Sequence, residues 1–90
     1  MTGITVEAAG DPDVFSVVVS GAEGQTRHRV TVPPAEADAV GAGPADLVRA
    51  AFDFLLEREP ARSILPEFEI GVIRRYFPEF DEAMARRFGR

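Results

Sequence analysis

Ninety residues, 46% of them hydrophobic and 28% charged, are enough for one globular domain and too few for two. The absence of cysteine excludes disulfides, thiolate nucleophiles and cysteine-ligated zinc or iron–sulfur centres. A net charge of −5 argues against a protein that coats nucleic acid by bulk electrostatics.

The first third alternates as strands do. Ile4, Val6 and Ala8 alternate with Thr5 and Glu7, a period of two. Gly10-Asp11-Pro12-Asp13 is a turn sequence, and Val14–Ser20 is rich in β-branched residues. In that second run Phe15, Val17 and Val19 share one face, and Val14, Ser16, Val18 and Ser20 share the other. After a second turn at Gly21-Ala22-Glu23-Gly24, Thr26–Val32 alternates again, with His28, Val30 and Val32 opposite Arg27, Arg29 and Thr31. Three short strands over about 4–32 joined by tight turns predict an antiparallel meander. Pro33-Pro34 ends it, because proline cannot continue a ladder.

Pro34–Val40 has the composition of one or two helical turns, and Gly41-Ala42-Gly43 breaks it. The clearest helix is 44–58. Pro44 suits the first helical position, Asp46 complements the helix dipole, and Pro60 enforces a stop. Leu47, Val48, Ala51, Phe52 and Leu55 form one apolar stripe, which Phe54 and Leu56 widen. The last third is helical but punctuated by Pro60, Pro66 and Pro78, which forbid one long helix. A short turn at 61–65 and helices over 70–77 and 78–88 are expected, with Gly89 as the final cap. The predicted architecture is a single α+β domain over 1–90: a three-stranded antiparallel sheet, one long helix across it, and short broken C-terminal helices.

Catalytic patterns are lacking. His28 is the only histidine, and its strand neighbours Arg27 and Arg29 are cations that do not recruit a metal, so it is read as a structural or surface residue. Carboxylates cluster at Glu67/Glu69 and at Glu79/Asp81/Glu82, but the second group opens a predicted helix, where acids are favoured without any metal. No nucleophile–base grouping, phosphate-cradling loop or dinucleotide fingerprint is present. The expectation is a non-enzyme with no cofactor and no metal.

Two features point outward. One is an aromatic and basic run, Arg74-Arg75-Tyr76-Phe77 with Phe80, in an apolar-rich C-terminal third. It is the candidate contact surface for a protein partner or a second copy of the chain. A meander and one helix cover one sheet face, so Val14 and Val18 must be shielded by the C-terminal helices or by company. The other feature is the arginines. All ten basic residues are arginine, a bias that also fits GC-rich coding. Arg27, Arg29, Arg74, Arg75, Arg86 and Arg87, with Arg90 at the end, are the alternative candidate surface, for nucleic acid or an acidic protein. Basic residues near helix ends also serve the dipole.

The residues Arg58-Glu59-Pro60, Ser63-Ile64-Leu65, Phe68-Glu69-Ile70, Val72-Ile73 and Arg75-Tyr76-Phe77-Pro78-Glu79-Phe80 resemble a pattern in a family of short uncharacterised bacterial proteins with a similar strand-rich start. That resemblance implies a bacterial, intracellular protein and brings no activity with it. Over about half the chain, Val30-Thr31-Val32-Pro33 leading to Asp46-Leu47-Val48-Arg49-Ala50 is similar in topology to antitoxins of the HicB type, which implies a regulator as the alternative function. The start Met1–Thr5 lacks a basic-then-apolar leader, and runs such as Val17-Val18-Val19 fall far short of the roughly 18 residues of a membrane span. A cytoplasmic location with no membrane partner is therefore expected.

Overall fold

The computed structural model describes residues 2–22 and 24–89. Met1, Glu23 and Arg90 lie outside them, and with them part of the second turn and the last arginine of the C-terminal group. Strands β1 (Gly3–Ala8), β2 (Val14–Gly21) and β3 (Gly24–Thr31) form the antiparallel meander that the alternation predicts. The sheet is nevertheless four-stranded and mixed. A short β4 (Glu67–Glu69) lies parallel to β3, so the order is β1-β2-β3-β4. A parallel neighbour requires a crossover. Here the chain makes it through α1 (Pro34–Val40), α2 (Pro44–Leu56) and a 3₁₀ turn at Ala61–Ser63.

Local chemistry sets the boundaries. Helix α1 stops at Gly41, which takes the left-handed conformation at φ 67°. From there the N–H of Ala42 reaches the Ala37 carbonyl and that of Gly41 the Asp38 carbonyl, both at 3.2 Å, in the manner of a glycine C-cap. Helix α2 ends at Leu56, two residues before the expected 58. The N–H groups of Arg58 and Glu59 both close on the Leu55 carbonyl at 2.9 Å, and Pro60 then blocks continuation. The helix expected over 70–77 is a 3₁₀ turn, Ile70–Val72, running into the single turn α3 (Ile73–Tyr76). The residue before Pro78 is biased away from the helical region, and Phe77 sits at φ −132°, ψ 87°. Helix α4 (Phe80–Arg87) is accordingly shorter than the expected 78–88.

Packing follows the strand faces. Phe15, Val17, Val19, His28, Val30 and Phe68 are buried on the inner face, beneath α2. On α2 itself, Phe52 and Phe54 are two residues apart and therefore roughly 200° apart around the axis. Phe52 meets the sheet, with ring centroids 5.2 Å from His28 and 6.1 Å from Phe68. Phe54 meets the C-terminal segment, edge-on to Phe77 at 5.9 Å and to Phe80 at 5.3 Å. The C-terminal helices therefore lie along the flank of α2 and do not cross to the outer sheet face. That face is open: Thr5, Glu7, Ser16, Arg27 and Arg29 are exposed, and Val14 and Val18 are half-buried among them. The Cα radius of gyration is 12.2 Å, against about 12 Å for a compact chain of this length. Among the described residues no helix is long and apolar enough to cross a membrane.

His28 holds β4 in place. Its Nδ1 lies 2.8 Å from the Leu65 carbonyl, which only accepts, so Nδ1 carries the proton and donates. Its Nε2 lies 2.9 Å from the Thr26 hydroxyl, which donates to it. The next residue, Arg29, gives its N–H to the Pro66 carbonyl at 2.8 Å. Two consecutive β3 residues thus hold the two residues that lead into β4. His28→Ala is expected to lower stability by about 2–3 kcal/mol in urea unfolding, since it leaves a carbonyl unpaired and a void beside Phe52. Amide exchange at Phe68 should accelerate more than at Val17, because β4 loses its anchor first.

Candidate functional site

Pro60, Pro66 and Pro78 prevent the last third from forming long regular elements. Its apolar side chains are instead carried by a 3₁₀ turn, a three-residue strand and a one-turn helix. These pieces leave a groove of about 380 Å³ between residues 59–68 and 72–77. Leu55, Ile64, Phe68 and Ile73 form its buried part, and Val72 and Phe77 are half-buried along it. Leu65 and Tyr76 stand at its rim, 46% and 69% exposed, and are the large exposed hydrophobics among the described residues. Glu59 and Ser63 are its polar members. A second depression of about 480 Å³ lies between the β2–β3 hairpin and residues 59–62, lined by Gln25, Thr26, Glu59 and Arg62 among others.

The wall formed by α3 is fixed by Arg74. Its guanidinium is bidentate to Glu36 of α1, with Nη2 donating to Oε1 at 2.7 Å and Nη1 to Oε2 at 3.0 Å. The same group reaches Asp81 of α4, Nε donating to Oδ2 at 3.0 Å and Nη2 to Oδ1 at 3.0 Å. Gly71 makes room for this: a Cβ there would lie 2.7 Å from Arg74 Nη1 and 3.0 Å from Glu36 Oε2. The hydrogen bonds to Glu36 and then Asp81 hold the Arg74 guanidinium still further above its ordinary pKa, against a smaller opposing effect of burial. Because the shift is upward, the stabilisation is fully present below the ordinary arginine pKa and is lost only above it. Deprotonation of Arg74 therefore does not switch the clamp in the usual pH range.

The residues singled out by sequence are thus sorted by position. Tyr76 and Phe77 line the groove, whereas Arg75 is not among its lining residues and is exposed, with no ion pair among the described residues. Phe80 is 3% exposed, so it belongs to the core rather than to a contact surface. Arg74 ties three helices together. Arg27 and Arg29 lie on the open sheet face, with Arg29 Nε 3.8 Å from Glu67. Arg86 lies 3.9 Å from Glu82 and Arg87 3.0 Å from Asp53, both on the α4 side. The six arginines do not converge on one surface. Leu65 is the exposed groove residue that sequence reasoning did not single out as a contact candidate. Its only signal is a large apolar residue directly before a proline, where no regular element can bury it.

The chemistry available here is limited. Both ring nitrogens of His28 are committed, and every buried side-chain nitrogen or oxygen among the described residues has a partner. Among those residues no group of three or more histidines and acids is placed to hold a metal ion. Glu79, Asp81 and Glu82 face Arg58, Arg74 and Arg86 instead. Comparison with family models, curated proteins and solved structures gave no match, so the geometry of this chain carries the functional argument alone.

Arg74→Lys keeps the charge and removes the planar fork that engages two carboxylates at once. The Arg74 side chain is 36% exposed and that of Glu36 21%, so solvent screening holds the expected loss to about 1 kcal/mol. In a thermal melt this should appear as a fall of about 4–8 °C in Tm.

Proposed function

We propose that this chain is a non-catalytic protein-interaction module whose groove, rimmed by Leu65 and Tyr76, receives apolar side chains of a partner protein. One observation carries the reading: among the described residues, the two large hydrophobics that the fold leaves exposed, Leu65 and Tyr76, stand on the rim of one apolar groove. Tyrosine supplies a large contact area with few rotatable bonds and is enriched at protein interfaces. Residues as exposed as these are covered by a broad surface rather than by a small enclosed ligand. The non-catalytic part of the reading is supported by the commitment of His28 to structural hydrogen bonds. A nucleic-acid or antitoxin-like role through the arginines has less support, because Arg74 and Arg87 sit in short ion pairs and the remainder are spread over separate surfaces.

The test is a pull-down of the tagged protein from its native lysate, with and without nuclease, beside Leu65→Ser/Tyr76→Ser. Both positions are exposed, so the double variant should stay within about 1 kcal/mol of the parent. The expected result is a nuclease-resistant protein partner held by the parent and lost by the folded double variant. Capture that survives the double substitution, or that vanishes with nuclease, removes the groove from the explanation.

A further inference from the structure

The two edges of the sheet are built differently. Strand β4 is three residues long, follows Pro66, and carries Glu67 and Glu69, all features that discourage edge pairing. Strand β1 is six residues long and has no proline, no lysine and an unbroken register against β2. The Ala9 N–H bonds to the Val14 carbonyl at 3.0 Å, which fixes which β1 residues are paired inward. By alternation, Gly3, Thr5 and Glu7 exchange hydrogen bonds with β2. The N–H and C=O groups of Ile4, Val6 and Ala8 therefore point away from the sheet along its free edge. The Ile4 carbonyl shows this directly, since Arg49 Nη1 of α2 donates to it from outside at 2.9 Å. Among the described residues that arginine is the only partner along the edge, and it leaves the carbonyl a second lone pair.

We propose that β1 is a self-association edge, and that two copies of the chain pair antiparallel through β1 about a two-fold axis at Val6. In this register Val6 faces Val6 of the second copy and Ile4 faces Ala8. The outward groups of all three residues then engage in about six main-chain hydrogen bonds. The side chains agree with it. Ile4 and Val6 are only half-buried at the margin of the core, and a continued sheet covers their exposed sides. On the open face Thr5 stands opposite Glu7 of the other copy, so no like charges are directly opposed. Sliding the axis to Glu7 would set the two Glu7 carboxylates against each other, which disfavours the alternative. Such an edge is isologous and closes as a dimer.

The experiment is sedimentation velocity of the full chain over a roughly hundredfold concentration range, with Ala8→Pro for comparison. Proline is tolerated on an edge strand where the N–H faces outward, and Ala8 has no buried side chain to lose. The expected result is a concentration-dependent dimer for the parent, weakened about tenfold or more by Ala8→Pro, which deletes two hydrogen bonds per dimer. Circular dichroism verifies that the variant is folded. A parent that stays monomeric throughout overturns the proposal. So does a dimer that survives folded Ala8→Pro and is lost in Leu65→Ser/Tyr76→Ser, an outcome that assigns the contact to the groove. Should Ala8→Pro not fold, amide exchange of the parent decides: protection of Ile4, Val6 and Ala8 must rise with concentration, and unchanged protection refutes the edge.

Discussion

Helix α2 has more apolar surface than one sheet can cover, and the rest of the fold answers that excess. Its buried residues are Leu47, Val48, Ala50, Ala51, Phe52, Phe54 and Leu55, an arc of roughly 200° that no single neighbour can bury. Phe52 goes to the sheet and Phe54 to the C-terminal segment. The chain after Pro60 must therefore do two things: return to the sheet as β4, and wrap the flank of α2 with α4. The groove is the space between those two duties, where the segment serving Phe52 and the segment serving Phe54 fail to meet. Its apolar lining is thus continuous with the core, which is why it is deep enough to accept side chains.

The pieces that serve these duties are too short to hold themselves. A one-turn helix such as α3 has no intrinsic stability in water, and a three-residue parallel strand has little more. Polar devices position them. The guanidinium of Arg74 joins α1, α3 and α4 through two carboxylates, and His28 and Arg29 hold Leu65 and Pro66 against β3. Phe54 is covered in a similar way by Arg58, whose Cζ lies 3.6 Å from the ring centroid while its Nη1 donates to the Phe54 carbonyl at 3.0 Å. Both walls of the groove are consequently fixed by hydrogen bonds to more regular elements. A surface held this way loses little conformational freedom when it is covered, which favours binding by preorganisation.

Periodicity made most of the scaffold legible. The alternation of Ile4/Val6, Phe15/Val17/Val19 and His28/Val30/Val32 gave three strands and their inner face, and the spacing in 47–55 gave α2 and its stripe. Strand β4 was hidden because Glu67-Phe68-Glu69 spans a single alternation, too short to stand out among prolines, and its pairing is set by His28 and Arg29 far away in sequence. The role of Arg74 was hidden for the same reason: its partners Glu36 and Asp81 are 38 and 7 residues away, and the bridge exists only after α1 and α4 are placed. Tyr76 was legible as an outward residue, whereas Phe80, four positions on, was not distinguishable from it until Phe54 was seen to need a second neighbour. Sequence pattern reports which face is apolar; it does not report which apolar residue the other elements reach.

The groove and the β1 edge occupy different ends of the sheet. Neighbouring strands lie about 4.8 Å apart, so β1 and β4 are separated by roughly 14 Å across the intervening pair. Pairing through β1 would therefore leave both grooves uncovered and carry them at opposite ends of one eight-stranded sheet. A partner presenting two apolar segments at matching separation would gain avidity from that arrangement without any new contact within either groove. The different protection of the two edges has the same logic. Strand β4 borders the groove, and its brevity and acidic side chains keep other strands from covering Leu65 and Phe68. Strand β1 is far from the groove, and pairing there obstructs nothing.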